Sequence, residues 1–183
     1  GIGRLAIAAI GPQVLILSRA VQPDGLQPLV FALVNWRFFE VPGLDLDSIE
    51  VPVVELDGGR LPDAGLLGDL RDRVRANLDH LGEKVPDGYR NQIEADLALL
   101  DFDPAIMDSL LVEPRLGTEG YGTHFYILPT AAILSDDIDA GSDDAASPLE
   151  KMLLGFSNTM MPDRPEPVIQ AQFRDHHPDA VVD

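Results

Sequence analysis

LPDAGLLGDLRDRVRANLDHLGEKVPDGYRNQIEADLALLDFDPAIMDSLLV, residues 61–112, is the stretch whose reading decides the fold. Leu67, Leu70, Val74, Leu78 and Leu81 recur at spacings of three and four, which puts them on one face of a helix. Asp69, Arg71, Asp72, Arg73, Arg75 and Asp79 fill the other positions, a solvated face with opposite charges close together. Asp63 after Pro62 is a good N-cap, and Gly82 stands where the chain needs a residue tolerant of positive φ to leave the helix. A second helix is expected from Asp87, with Tyr89, Ile93, Leu97 and Leu100 inward. Asp103-Pro104 opens a third, carrying Ile106, Leu110 and Leu111. The short connections predict antiparallel neighbours.

Apolar segments flank this helical centre. Residues 4–10 and 13–19 read as two buried strands joined at Gly11-Pro12, a breaker pair. Pro12 also makes the run too broken for a membrane span, which needs about 20 apolar residues. Arg4 is the one early charge, short of the basic start of a signal peptide. QPDGLQ, residues 22–27, has turn chemistry. PLVFALVNWRFFE, residues 28–40, is the longest strand candidate. Ser48 to Leu56 alternates apolar and polar residues, and Pro52 marks it as an edge strand. Asp57-Gly58-Gly59 ends it. Beyond the helices come a glycine-rich loop (Gly117–Gly122), a strand from Thr123 to Leu128 with a continuation past Pro129 to Leu134, and the acidic loop SDDIDAGSDDAAS at 135–147. Ser147, Pro148 and Glu150 form a capping box for a helix reaching about Met160. Pro167 to Phe173 reads as a last strand.

Strand runs placed together, then helices, then further strands argue for an α+β fold. The expected architecture is a mostly antiparallel sheet with the helical hairpin of residues 61–112 packed against it. One domain is expected over residues 1–174, with 175–183 a flexible tail.

The 183 residues contain no cysteine, which removes disulfides, Cys-ligated metals and cysteine nucleophiles. Net charge is −18, from 31 acidic and 13 basic residues. Such a surface disfavours nucleic acid and anionic membranes, because phosphate binding needs clustered positive charge. The only lysines are Lys84 and Lys151; the other basic residues are arginines. An acidic, lysine-poor surface suits a high-salt medium, where self-repulsion is screened within about 3 Å at molar ionic strength. A GC-rich genome would also favour arginine over lysine.

Three patches are candidates for function. Asp136, Asp137, Asp139, Asp143 and Asp144 are hard oxygen donors of the kind that hold calcium or magnesium. The EF-hand register fails: counted from Asp137, Gly141 falls at position five and Pro148 stands in place of the last glutamate. A solvated loop is the competing reading. His176 and His177, with Asp175 and Asp179, carry zinc-ligand chemistry, and His124 could join only through the fold. Adjacent residues of a strand point opposite ways, so the two histidines could share one ion only from an irregular segment; the competing reading is a tail. Trp36, Phe38 and Phe39 form an aromatic cluster of the kind enriched at interfaces, and equally of the kind found in cores. The loop GTEGYG lacks both phosphate-loop patterns.

The expectation is a non-enzymatic structural or interaction subunit of a larger assembly, a viral or other multi-subunit particle, adapted to high salt. Its partners are other protein subunits, with no nucleic acid, no membrane span and no cofactor. It is expected to be soluble, either intracellular or part of an assembled particle. The alternative is a metal-dependent enzyme or ligand-binding domain using an Asp/His site and a divalent cation. If the −18 charge limits stability, the melting temperature rises from dilute buffer to molar KCl; a flat or falling value would contradict the high-salt reading.

Overall fold

In this computed structural model residues 8–110 and 115–132 are described. The chain divides into two compact units, Gly1–Ala131 and Ala132–Asp183. The first unit has an α+β fold, helices with an antiparallel sheet.

Strand β1 (Gln13–Arg19) and β4 (Leu29–Asn35) form a long hairpin, with Val14 opposite Val34 and Ser18 opposite Val30. Its tip is a small ribbon of β2 (Val21–Gln22) and β3 (Gly25–Leu26), closed at Pro23-Asp24. The register slips by one residue between Ser18↔Val30 and Val21↔Leu26. Pro28, with no N–H for a ladder, lies in the slip. β5 (Val53–Leu56) pairs with β4, and β6 (Gly122–Ile127) pairs with β1, which gives the order β5-β4-β1-β6. All pairs are antiparallel.

One sheet face is the core. Leu15, Leu17, Leu29, Phe31 and Leu33 are buried there against the helices. Helix α2 (Ala64–Leu81) supplies Leu67, Leu70, Val74, Leu78 and Leu81, the five positions that the periodicity predicts. Helix α3 (Asp87–Ala98) supplies Ile93 and Leu97, followed by Leu100. Hydrogen bonds from Arg71 to Leu100 O, and from Arg90 to Leu78 O, set the two helices antiparallel; the Arg75–Glu94 pair lies between them. Asp63 caps α2 by accepting from Leu66 N at 2.9 Å. Gly82 leaves it with φ +54, as positive φ at a helix end requires.

Several sequence expectations are corrected. Residues 8–10 are helical, so no strand reaches Ile10. Ala8 and Ala9 favour helix, and Gly11 fixes the path: a Cβ there would collide with Pro129 O and lie 2.6 Å from Ile127 Cγ2. The strand from residue 28 stops at Asn35, and Arg37–Glu40 form a helical turn, α1. Asn35 Oδ1 accepts from Arg37 N at 3.1 Å and turns the chain. The strand expected from Ser48 begins only at Val53, after a 3-10 turn at Leu46–Ser48. Pro52 O still accepts from Leu33 N, but Pro52 cannot donate in return, which ends the ladder. Among the described strands β5 lies at an edge, as its proline implies. Helix α4 (Pro104–Leu110) opens where expected, with Asp103 Oδ1 accepting from Ala105 N, and its Ile106 is exposed. β6 ends at Ile127 and does not continue past Pro129. The helix expected near 148–160, the strand at 167–173 and the tail lie outside the described residues.

Two buried side chains tie loops to this frame. Asn77 of α2 accepts from Glu50 N at 2.8 Å and donates to Glu50 O at 2.9 Å, mimicking a strand partner ahead of β5. Asp96 of α3 accepts from Arg37 Nε at 2.6 Å and from Asn35 Nδ2 at 3.2 Å. The Leu97 side chain, fully buried in the cluster, predicts a loss of about 2–5 kcal/mol for Leu97→Ala in denaturant unfolding. A loss under about 0.5 kcal/mol, the size of an ordinary surface change, would remove α3 from the core.

Candidate functional site

β6 stands at the sheet edge among the described strands, and its two faces do different things. His124 and Tyr126 turn toward the helices. Thr123, Phe125 and Ile127 turn to the opposite sheet face, in the alternation a strand imposes.

On the inner side a polar cluster forms. His124 Nδ1 shares a hydrogen bond of 3.2 Å with Tyr126 Oη and lies 3.9 Å from Asp108 Oδ1. Asp108, on α4, accepts from Leu116 N at 2.8 Å and from Gly117 N at 3.3 Å. The Tyr126 phenol is pushed up to about 12, first by desolvation and then by the charge of Asp108. A phenol so held is neutral at physiological pH and donates hydrogen bonds; it is no phenolate base. At 3.9 Å the His124–Asp108 separation is an electrostatic contact, longer than a hydrogen bond. The cluster holds the end of α4, the following loop and β6 together.

That loop, the glycine-rich GTEGYG, is organised by Arg19 as well. Arg19 donates through Nη1 to Thr118 O at 2.5 Å and to Leu116 O and Gly120 O at 3.4 Å, and through Nε to Gln27 O at 3.0 Å. Gly59, at φ +68, lies so close that a Cβ would collide with Thr118 O. The loop is thus held from two sides, its carbonyls by Arg19 and the N–H groups of Leu116 and Gly117 by Asp108.

The edge of β6 that no described strand covers is different. An apolar groove of about 440 Å³ runs along β6, lined by Leu99, Phe102, Met107, Phe125, Tyr126 and Leu128. Within it the Phe102 and Tyr126 rings lie 5.2 Å apart, tilted by 36°. Phe125 is 50% exposed and Leu99 49%. Tyr121, Ile106 and Met107, all exposed, extend the apolar surface. From Tyr121 to Leu128 there is no Asp, Glu, Lys or Arg. Large exposed apolar patches are where proteins commonly meet partners or apolar ligands.

The residues singled out from sequence fare differently. Trp36, Phe38 and Phe39 are divided by the turn of α1. Phe38 is buried in the core, whereas Phe39 is 37% exposed and packs tilted against Trp36, the ring centroids 5.7 Å apart. Asp136, Asp137, Asp139, Asp143, Asp144, His176 and His177 lie outside the described residues. His124 meets Asp108 and Tyr126. Among the described residues no three His, Asp or Glu side chains are grouped to hold a metal ion, and no helix is long and apolar enough to cross a membrane. The β6 groove was missed from sequence. Its one local signal was the apolar Phe125 and Ile127 on the polar side of the alternation; Leu99 and Met107 join only through the fold.

Comparison with protein families, curated proteins and solved structures returned no match. The neutral Tyr126 phenol is favoured by the fold, so its contribution to stability is complete below the unfolded value of 10.0 and is lost as pH rises through about 12. Phenolate absorbance in an alkaline titration should show a late step that Tyr126→Phe removes; a titration curve unchanged near pH 12 by that substitution would contradict the burial of the phenol.

Proposed function

We propose that this chain is a non-enzymatic interaction subunit of a larger protein assembly, suited to a high-salt medium. The observation that carries the reading is the uncharged apolar surface at β6, with Leu99, Met107 and Phe125 exposed around a groove. Burying an exposed apolar surface on a partner gains roughly 25 cal/mol per Å², the driving term of most protein association. The polar groups beside it serve the loop: Asp108 and Arg19 are engaged with backbone groups of residues 116–120. The net charge of −18 supports the high-salt part, since crowding such chains into one particle requires screening.

The test is isolation of the tagged full chain from its source at native salt, followed by native mass spectrometry. The expected outcome is a complex of fixed stoichiometry containing this chain, from which Phe125→Lys is lost. A free chain that turns over a small substrate, or a complex indifferent to Phe125→Lys and Met107→Lys, would overturn the reading.

A further inference from the structure

We propose that β6 is the seam of a twofold dimer, pairing antiparallel with β6 of a second copy of this chain. The inference rests on the interaction-subunit reading and deepens it by naming the partner.

The first observation is the direction of the backbone groups. Leu128 N donates to Gln13 O, in register with the β1–β6 ladder. Hydrogen-bonded and non-bonded pairs alternate along an antiparallel ladder. The bonds to β1 therefore fall on Gly122, His124 and Tyr126. Trp36 N donating to Pro12 O gives the same phase from the β4 side. The N–H and C=O groups of Thr123, Phe125 and Ile127 consequently point away from β1, along the edge that no described strand occupies.

The second observation is the contrast between the two edges of the sheet. β5 carries the usual protections: it is four residues long, preceded by Pro52, and bears Glu55. β6 carries none of them. It has six residues, with no proline, Asp, Glu, Lys or Arg among them. An edge of that kind invites another strand.

The third observation singles out a second copy. A register centred on Phe125 places Thr123 opposite Ile127 of the partner strand and Phe125 opposite its own equivalent. Every outward N–H and C=O of those three residues then finds a partner, and the contact is self-complementary, as a twofold interface must be. The cross-strand neighbours Val53, Ala32, Ile16 and Phe125 form one apolar row across the sheet, with Val53 and Phe125 about half exposed. Pairing two β6 edges makes that row continuous across both four-stranded sheets. Charge points the same way: two chains of −18 meet most easily where neither bears an acid, and residues 121–128 bear none.

The experiment is sedimentation velocity on the full chain in molar KCl, at concentrations up to about 100 µM, above the micromolar limit of standard interfaces. Wild type is expected at dimer mass. Phe125→Lys, which puts two ammonium groups at the twofold axis, is expected at monomer mass with an unchanged circular dichroism spectrum. Thr123→Pro removes one outward N–H and leaves the β1 ladder intact; it should weaken the dimer at least tenfold. Val53→Lys, on the opposite edge, should leave the mass unchanged. A wild-type monomer throughout overturns the proposal, including a monomer whose Phe125 and Ile127 amides resist hydrogen exchange because something else covers them. A dimer indifferent to both β6 substitutions overturns it too. A wild-type monomer that still enters a complex of unlike chains would defeat this inference and leave the interaction-subunit reading standing.

Discussion

The Asp96 carboxylate is the point at which sheet and helices are held in one arrangement. It sits on α3, nearly fully buried, and accepts from Arg37 through both Nε and Nη2 and from Asn35 Nδ2. Its own backbone oxygen accepts from Gln13 Nε2 at 2.7 Å. Gln13 and Asn35 are directly opposite each other in the β1–β4 ladder. One residue of α3 thus reads both members of a cross-strand pair. A one-residue slip of either strand would send its member of the pair, Gln13 or Asn35, to the far face and leave Asp96 without that partner. A buried ion pair contributes little net stability, since desolvation offsets attraction, but losing one partner costs about 3–5 kcal/mol. What this cluster supplies is register, and the register puts Leu15, Leu17, Phe31 and Leu33 under the helices. Arg37, raised above its ordinary value chiefly by its hydrogen bond to Asp96, stays charged at any pH the protein meets.

From that register comes the β6 surface. β1 has one flank on β4, and its other flank is open until the chain returns from the helices. β6 fills it, and the loop before β6 is positioned twice, by Asp108 from α4 and by Arg19 from β1 itself. Gly11 allows the N-terminal segment to pass against Ile127 and Pro129, where any side chain would collide. The strand so placed buries His124 on its inner side and leaves Phe125 half exposed on the other.

The helical centre was legible because helix periodicity is local. Leu67 to Leu81 occupy one face whatever they pack against, and Asp63 and Gly82 mark the ends through their own backbone chemistry. The α+β class was legible for the same reason, from strand-like runs grouped on either side of helices. Pro52 announced an edge strand because a missing N–H matters in any ladder. The surface side of β6 was half legible: the alternation of His124 and Tyr126 against Phe125 and Ile127 stands in the sequence, but which set faces water does not.

What only the tertiary structure decided depends on residues far apart in the chain. The strand from residue 28 breaks at Asn35 because Arg37 is drawn to Asp96, 59 residues further on, and local β-propensity yields to that pair. Phe38 goes to the core and Phe39 to the surface because that break turns the chain by a helical step. Asp108, His124 and Tyr126 meet because β6 pairs with β1, and nothing local predicts that pairing. The amino-acid sequence by itself determined which face of the first long helix is apolar, where the helices begin and where that first one ends, and that strands lie on either side of them. The fold decided which apolar faces remain uncovered, because exposure belongs to the assembled layers and not to any one element.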